Sequence, residues 1–218
     1  PCLDRPQQTL ITMKISLLST PLLFSLSTAF NPPPLPSLAP WEVTSLYVWT
    51  PPGRPGEHPL ARISLSISDP NTIKLGQTPW DSAVGFGPTT ATCSVRWLYV
   101  SASRGFFDPV PCGDVNTALW SVSYHPNTTS ASTNFGLRFA LQEAVILRNG
   151  AIEELKFEGE GWFKVGYGNS TEENMSGSCG GSGQCGWGLR ADRTPVIVEQ
   201  QLVSRTCLVG DCQAAYNA

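Results

Sequence analysis

ARISLSIS, residues 61–68, reads as a single strand, and that reading sets the class of the whole chain. Ala61, Ile63, Leu65 and Ile67 fall on one side of an extended backbone, and Arg62, Ser64, Ser66 and Ser68 on the other. Successive side chains of a strand point to opposite faces, so a period of two marks a strand with one face on a core and one in water. Upstream, WEVTSLYVW (41–49) is rich in aromatic and β-branched residues, and PPGRPGEHP (51–59) separates the two segments with turn formers. Downstream, TATCSVRWLYV (90–100) aligns Cys93, Val95, Trp97 and Tyr99; ALWSVSY (118–124) aligns Trp120, Val122 and Tyr124; FGLRFAL (135–141) aligns its Phe and Leu residues. AVILR (144–148) and IEELKFEGE (152–160) flank Asn149-Gly150, a hairpin signal because a type I′ turn needs positive φ at both central residues. GWFKVGY (161–167) and PVIVEQQLV (195–203) complete eight or nine expected strands, while residues 68–88 read as a long loop. No helical period runs longer than two turns. The expected fold is all-β: a single-domain antiparallel β-barrel or β-sandwich stabilised by disulfides.

The residues before this body read as processing signals. MKISLLSTPLLFSLSTA (13–29) has a basic start at Lys14, an apolar middle and small residues at Ser27, Thr28 and Ala29, the three-part layout of a secretory signal peptide. Its apolar part is shorter than the roughly 20 uninterrupted residues of a membrane anchor. Residues 1–12 are expected to be an upstream leader, residues 30–40 (FNPPPLPSLAP) an extended proline-rich arm, and residues 41–218 one secreted β domain. Arg5, Lys14 and Asp4 precede residue 30, which leaves 12 basic against 16 acidic residues. This acidic balance gives no reason to expect nucleic acid or an anionic membrane as partner. Sequons at Asn127, Asn169 and Asn174 agree with export and are expected on exposed loops.

Past Cys2, six cysteines remain: Cys93, Cys112, Cys179, Cys185, Cys207 and Cys212. An even number behind a signal peptide implies three disulfides. In GSCGGSGQCGWGL (177–189), closing a ring over five residues needs a tight loop, which Gly180, Gly181 and Gly183 supply. Cys179–Cys185 and Cys207–Cys212 are the preferred local pairs, and Cys93–Cys112 would close a longer loop. Crosswise pairing of the four C-terminal cysteines stays open. A four-thiolate zinc site fits poorly, because the inner spacings exceed those of zinc knuckles and only His58 and His125 could add imidazole. No lysine follows the glycines as a phosphate loop requires. No metal or other cofactor is expected.

WEVTSLYVW, the proline/glycine turn, ARISLSISDPN, TATCSVRWLYV and VPCGD occur in an order that resembles the fungal major-allergen family named after the Alternaria allergen. The resemblance spans residues 41–212 in outline and implies a small secreted β-barrel whose early cysteine pair would be Cys93 and Cys112. It also implies a non-enzymatic protein, effector- or allergen-like, that acts on a host protein or cell-wall glycan, and it leaves a homodimer open. SGSCGGSGQCGWGL is similar to a segment of small secreted ascomycete proteins.

Catalytic motifs are sparse. No G-x-S-x-G occurs, and His58 and His125 read as solvent-facing loop residues. The candidate carboxylates are Glu153, Glu154, Glu158 and Glu160; the last three share parity, and carboxylates two apart on a strand could meet the roughly 5–10 Å separation of a glycoside hydrolase. Lys156 between them points instead to a solvated face, so Glu154 and Glu158 are the residues of an alternative glycoside hydrolase-like reading. A second alternative is a carbohydrate-binding module. Trp97 and Trp120 belong in the core, whereas Trp187 in the glycine-rich loop and Trp80 in the long loop are expected to be exposed and to form a contact surface.

Overall fold

The computed structural model describes residues 32, 34–54, 56, 58–77, 83–99, 107–113, 118–168 and 170–216. In chain order the strands are β1 (Trp41–Thr50), β2 (Leu60–Asp69), β3 (Ile73–Gln77), β4 (Ala83–Phe86), β5 (Thr89–Leu98), β6 (Val110–Pro111), β7 (Ala118–Tyr124), β8 (Asn134–Ile146), β9 (Ile152–Lys164), β10 (Met175–Cys179), β11 (Cys185–Leu189), β12 (Val196–Val198) and β13 (Gln200–Val209). One short helix, α1 (Cys212–Tyr216), follows. The first sheet runs β10-β11-β1-β2-β5, with β12 also paired to β1, and the second runs β13-β9-β8-β7-β6; β3 and β4 form a separate hairpin. Every strand pairing is antiparallel. Among the described residues the two main sheets do not close into a barrel, so of the two expected architectures the observed one is the sandwich.

The alternation read from residues 61–68 is the burial pattern of β2: Ala61, Ile63, Leu65 and Ile67 are buried and the residues between them are not. The same parity holds in β5, β7, β8 and β9, and the buried faces of the two sheets meet. Trp41 of β1 contacts Trp120 of β7 edge to face at 4.7 Å between centroids, and Trp97 of β5 meets Tyr124 of β7 at 5.7 Å. Edge-to-face geometry places a positive ring edge on a negative ring face.

The sheets approach closely where β9 passes under β12. A side-chain carbon at Gly159 would lie 2.7 Å from the Glu199 carbonyl oxygen and 2.9 Å from Val198, so only glycine lets the backbones approach this far. Here PVIVEQQLV departs from the single expected strand. Val196–Val198 pairs with β1 in the first sheet, and after Glu199 the chain pairs with β9 in the second. Two other differences are simpler. The expected long loop contains the β3–β4 hairpin, and four expected segments merge into the two long strands β8 and β9. The β8–β9 turn does fall at Asn149-Gly150, where Gly150 has φ +78° and the Asn149 side chain accepts the Ala151 N–H at 3.0 Å. The proline-rich arm ends against the body, since Ala39 exchanges two hydrogen bonds with the Asn71 side chain.

Three disulfides join Cys93–Cys112, Cys179–Cys185 and Cys207–Cys212. The first ties the β5 edge to the residue after β6, beside a 2.8 Å bond from Gly113 N–H to the Thr92 carbonyl. It therefore clips the two sheets together along one side, as the change of sheet at Glu199 does along the other. The second closes the β10–β11 hairpin, where Cys179 and Cys185 are register partners and Gly183 sits at φ +88°. The third fastens α1 to the end of β13. Because Cys179 and Cys185 are only 6 apart in sequence, their bridge restricts the unfolded chain modestly. Replacing both with serine is expected to cost about 2 kcal/mol in urea unfolding while leaving the β-sheet circular-dichroism spectrum unchanged.

Candidate functional site

The solvent face of the second sheet carries a regular grid of side chains. Register places Leu119, Gln142 and Lys156 in one row, Ser121, Ala140 and Glu158 in the next, and Ser123, Arg138 and Glu160 in a third. The middle of the grid is small, because Ser121, Ser123 and Ala140 project little. Phe107, Pro109 and the 66%-exposed Leu119 form one bank, and the charged residues of β9 form the other. The result is an open trough of about 610 Å³ with an apolar bank, a hydroxyl-lined floor and a charged bank. Such a surface can hold an extended polar ligand that has both apolar faces and hydrogen-bonding groups.

Of the carboxylates singled out in the sequence, Glu154, Glu158 and Glu160 lie on this face, each with a partner. Glu158 pairs with Lys156 at 2.6 Å, and Glu160 with Arg138 at 2.9 Å; the carboxylate of Glu154 accepts a bond from the Gln142 amide. The side chains of Glu158 and Glu160 are each 46% exposed. A general acid of a glycosidase is held protonated by a dry, apolar pocket, and these groups have water on one side and a cation on the other.

Several expected site residues lie elsewhere than the sequence suggested. Trp187 was expected at a partly exposed loop; it is 8% exposed, on β11, with its ring turned to the same side as the disulfide-bonded Cys185. Trp80 and Asn169 lie outside the described residues. Asn174 was expected on an exposed loop, but it is buried: its amide donates to the Trp162 carbonyl at 2.7 Å and its side-chain oxygen accepts the Lys164 N–H at 3.0 Å. Asn127 is exposed. His125 was expected to face solvent and is 7% exposed instead, its ring tilted against that of Trp162 at 4.9 Å between centroids. Its Nδ1 accepts the Asn127 N–H at 3.1 Å, so the proton sits on Nε2, 3.4 Å from Glu160. The exposed tryptophan among the described residues is Trp162, at 47%.

Two carboxyl groups lie buried on the core side, and one of them, Glu153, is the fourth candidate from the sequence. Glu153, on the core side of β9, is fully buried and bound by Arg205 of β13 at 2.7 Å, with the Tyr216 hydroxyl of α1 donating to the same carboxylate. Burial first, and then the Glu153 charge, push the Tyr216 phenol up to about 12. Glu143, on the core side of β8, is 3% exposed, and its pKa is raised from 4.5 to about 7 by burial and then by the charge of Asp69. Asp69 is itself buried and accepts the Asn71 N–H at 2.9 Å. Neither cluster assembles a metal site; no group of three or more His, Cys, Asp or Glu suited to a metal occurs among the described residues.

Fold and bonding together define the class: an all-β protein of two antiparallel sheets, stabilised by disulfides. No protein family, curated protein or solved structure matches the chain. No described helix is long and apolar enough to cross a membrane.

Proposed function

We propose that this chain is an exported, non-catalytic recognition protein of the effector- or allergen-like kind its sequence resembles, and that it engages a cell-wall glycan or a host protein through the trough on the second sheet. The observation that carries the reading is the pairing of every carboxylate on that face with a cation or an amide, which leaves a binding surface without a proton-donating acid. Three disulfides suit an oxidising compartment. The exposed Asn127 is a suitable glycan acceptor, whereas a glycan on Asn174 would break both of its buried hydrogen bonds.

The test is a paired binding and turnover assay on polysaccharides and on extracts of host surface proteins. Wild-type protein is expected to be retained on a target and to release no reducing sugar. Ser121→Arg, which fills the floor of the trough, is expected to weaken retention roughly tenfold or more by blocking contact. Sugar release that disappears in Glu158→Gln or Glu154→Gln would overturn the non-catalytic reading, and retention untouched by Ser121→Arg would remove the trough from it.

A further inference from the structure

The solvent face of the first sheet carries a second site, independent of the trough. Register sets Trp49 opposite Arg62, and Arg62 opposite Arg96. All three point outward, with Arg62 and Arg96 exposed. Like charges directly opposite on a sheet destabilise it, and among the described residues neither guanidinium has a carboxylate in an ion pair. Folding alone gives no reason for this row; a negatively charged ligand does.

The surroundings favour such a ligand. Arg62 lies over the Trp49 ring at 5.9 Å, an arrangement that holds the guanidinium by its face and leaves its edge N–H groups free to donate. His58 meets the Trp49 ring edge-on at 6.3 Å between centroids, and its Nδ1 accepts the Leu60 N–H at 3.3 Å. Together with Leu60 and Ala61 these residues line a cup of about 400 Å³ that has two cations, Arg62 and Arg96, and no acid among its described lining residues. A carboxylate matches it, because two parallel N–H donors on a planar fork fit two carboxylate oxygens.

The neighbouring rows narrow the ligand further. Tyr47, Ser64 and Ser94 form the next row, followed by Ser45, Ser66 and Thr92. This is an uncharged, hydroxyl-bearing strip leading away from the cationic cup. A nucleic acid carries a charge at every nucleotide and would need a basic track, which this acidic chain does not offer there. A chain of sugars with spaced carboxylates needs one cationic anchor and hydroxyl partners beside it. The geometry points to a uronate-bearing polysaccharide, bound along β2 and β5 with one sugar carboxylate between Arg62 and Arg96.

The experiment is calorimetric titration of the intact protein with a glucuronate-substituted xylo-oligosaccharide, in which uncharged sugars separate the carboxylates, with a neutral xylo-oligosaccharide of equal length, and with a single-stranded oligonucleotide. Wild type is expected to bind the glucuronate-substituted oligosaccharide, with the other two at least roughly tenfold weaker. Arg62→Gln and Arg96→Gln are each expected to weaken uronate binding roughly tenfold, the loss of one charge-assisted contact. Arg148→Gln on the β8–β9 turn makes the same charge change elsewhere and is expected to leave binding unchanged. Because Arg96→Gln also removes a like-charge contact, its thermal midpoint is expected at or above that of wild type, so weakened binding cannot be put down to misfolding. Absence of uronate binding, equal binding of the oligonucleotide, or equal weakening by Arg148→Gln would each overturn the proposal.

Discussion

Replacing Arg205 with methionine is expected to destabilise the protein by about 3–5 kcal/mol, the loss seen when one partner of a buried ion pair is removed and the other charge stays behind. Glu153 has no route to water: it is 0% exposed, and Arg205 supplies it with a charge-assisted bond at 2.7 Å. With Arg205 gone, the carboxylate keeps the Tyr216 hydroxyl but must either remain charged in a dry environment or take up a proton. The variant should therefore regain part of its stability as the pH is lowered. Urea unfolding of Arg205→Met at neutral and mildly acidic pH measures both effects. The double variant Glu153→Met, Arg205→Met removes both charges while keeping side-chain bulk, and is expected to recover most of the loss. A single-variant cost below about 1 kcal/mol, the range of an exposed pair, would mean that water reaches the site.

Glu143→Gln is expected to work in the opposite direction. A carboxyl whose folded pKa is about 7 rather than 4.5 holds its proton in the native state after the unfolded chain has released it. Native stability is then highest below pH 4.5 as far as this group is concerned, falls as the pH rises through the window from 4.5 to about 7, and stays reduced above it. The full difference is on the order of 3 kcal/mol. Glutamine mimics the protonated acid and does not titrate. The variant should match wild type near pH 4.5 and exceed it by up to that amount at pH 8. The quantity to measure is the difference between the two proteins across pH, because carboxylates other than the neighbouring Asp69 contribute equally to both and cancel. A difference that is flat with pH would show that Glu143 is ionised at no cost.

The parts of the fold that were legible in the sequence are those whose signal is local. Residues 61–68 alternate without exception because one face of β2 is core and the other is water. Asn149-Gly150 marks its hairpin through backbone chemistry alone, and the glycines inside residues 179–185 announce a short closed ring. What escaped depends on partners far along the chain. PVIVEQQLV keeps a strand-like composition on both sides of Glu199, and nothing within it says that its halves belong to different sheets. Residues 73–86 carry too few side chains of clear polarity to display a period, so a hairpin there looked like a loop. Asn174 reads as a hydrophilic sequon because the backbone groups of Trp162 and Lys164 that it serves come from another strand. Trp187 shares parity with Cys185, so a two-residue period was present there, but the glycines on either side suggested a turn. The outward parity of Trp49, Arg62 and Arg96 was also legible strand by strand; only the register of three strands shows that they form one row.

The pairing of β1 has a consequence for how the molecule is made. Trp41 finds its partner in Val198 and Tyr47 finds one in Gly188, so β1 gains its neighbour on the second side only after residues 185–198 have been synthesised. Contacts between such distant points form slowly, because a large loop must close before any of them is rewarded. One long edge of β1 therefore stays unpaired until residues 185–198 have been made, whereas β8 and β9 pair from neighbouring residues alone.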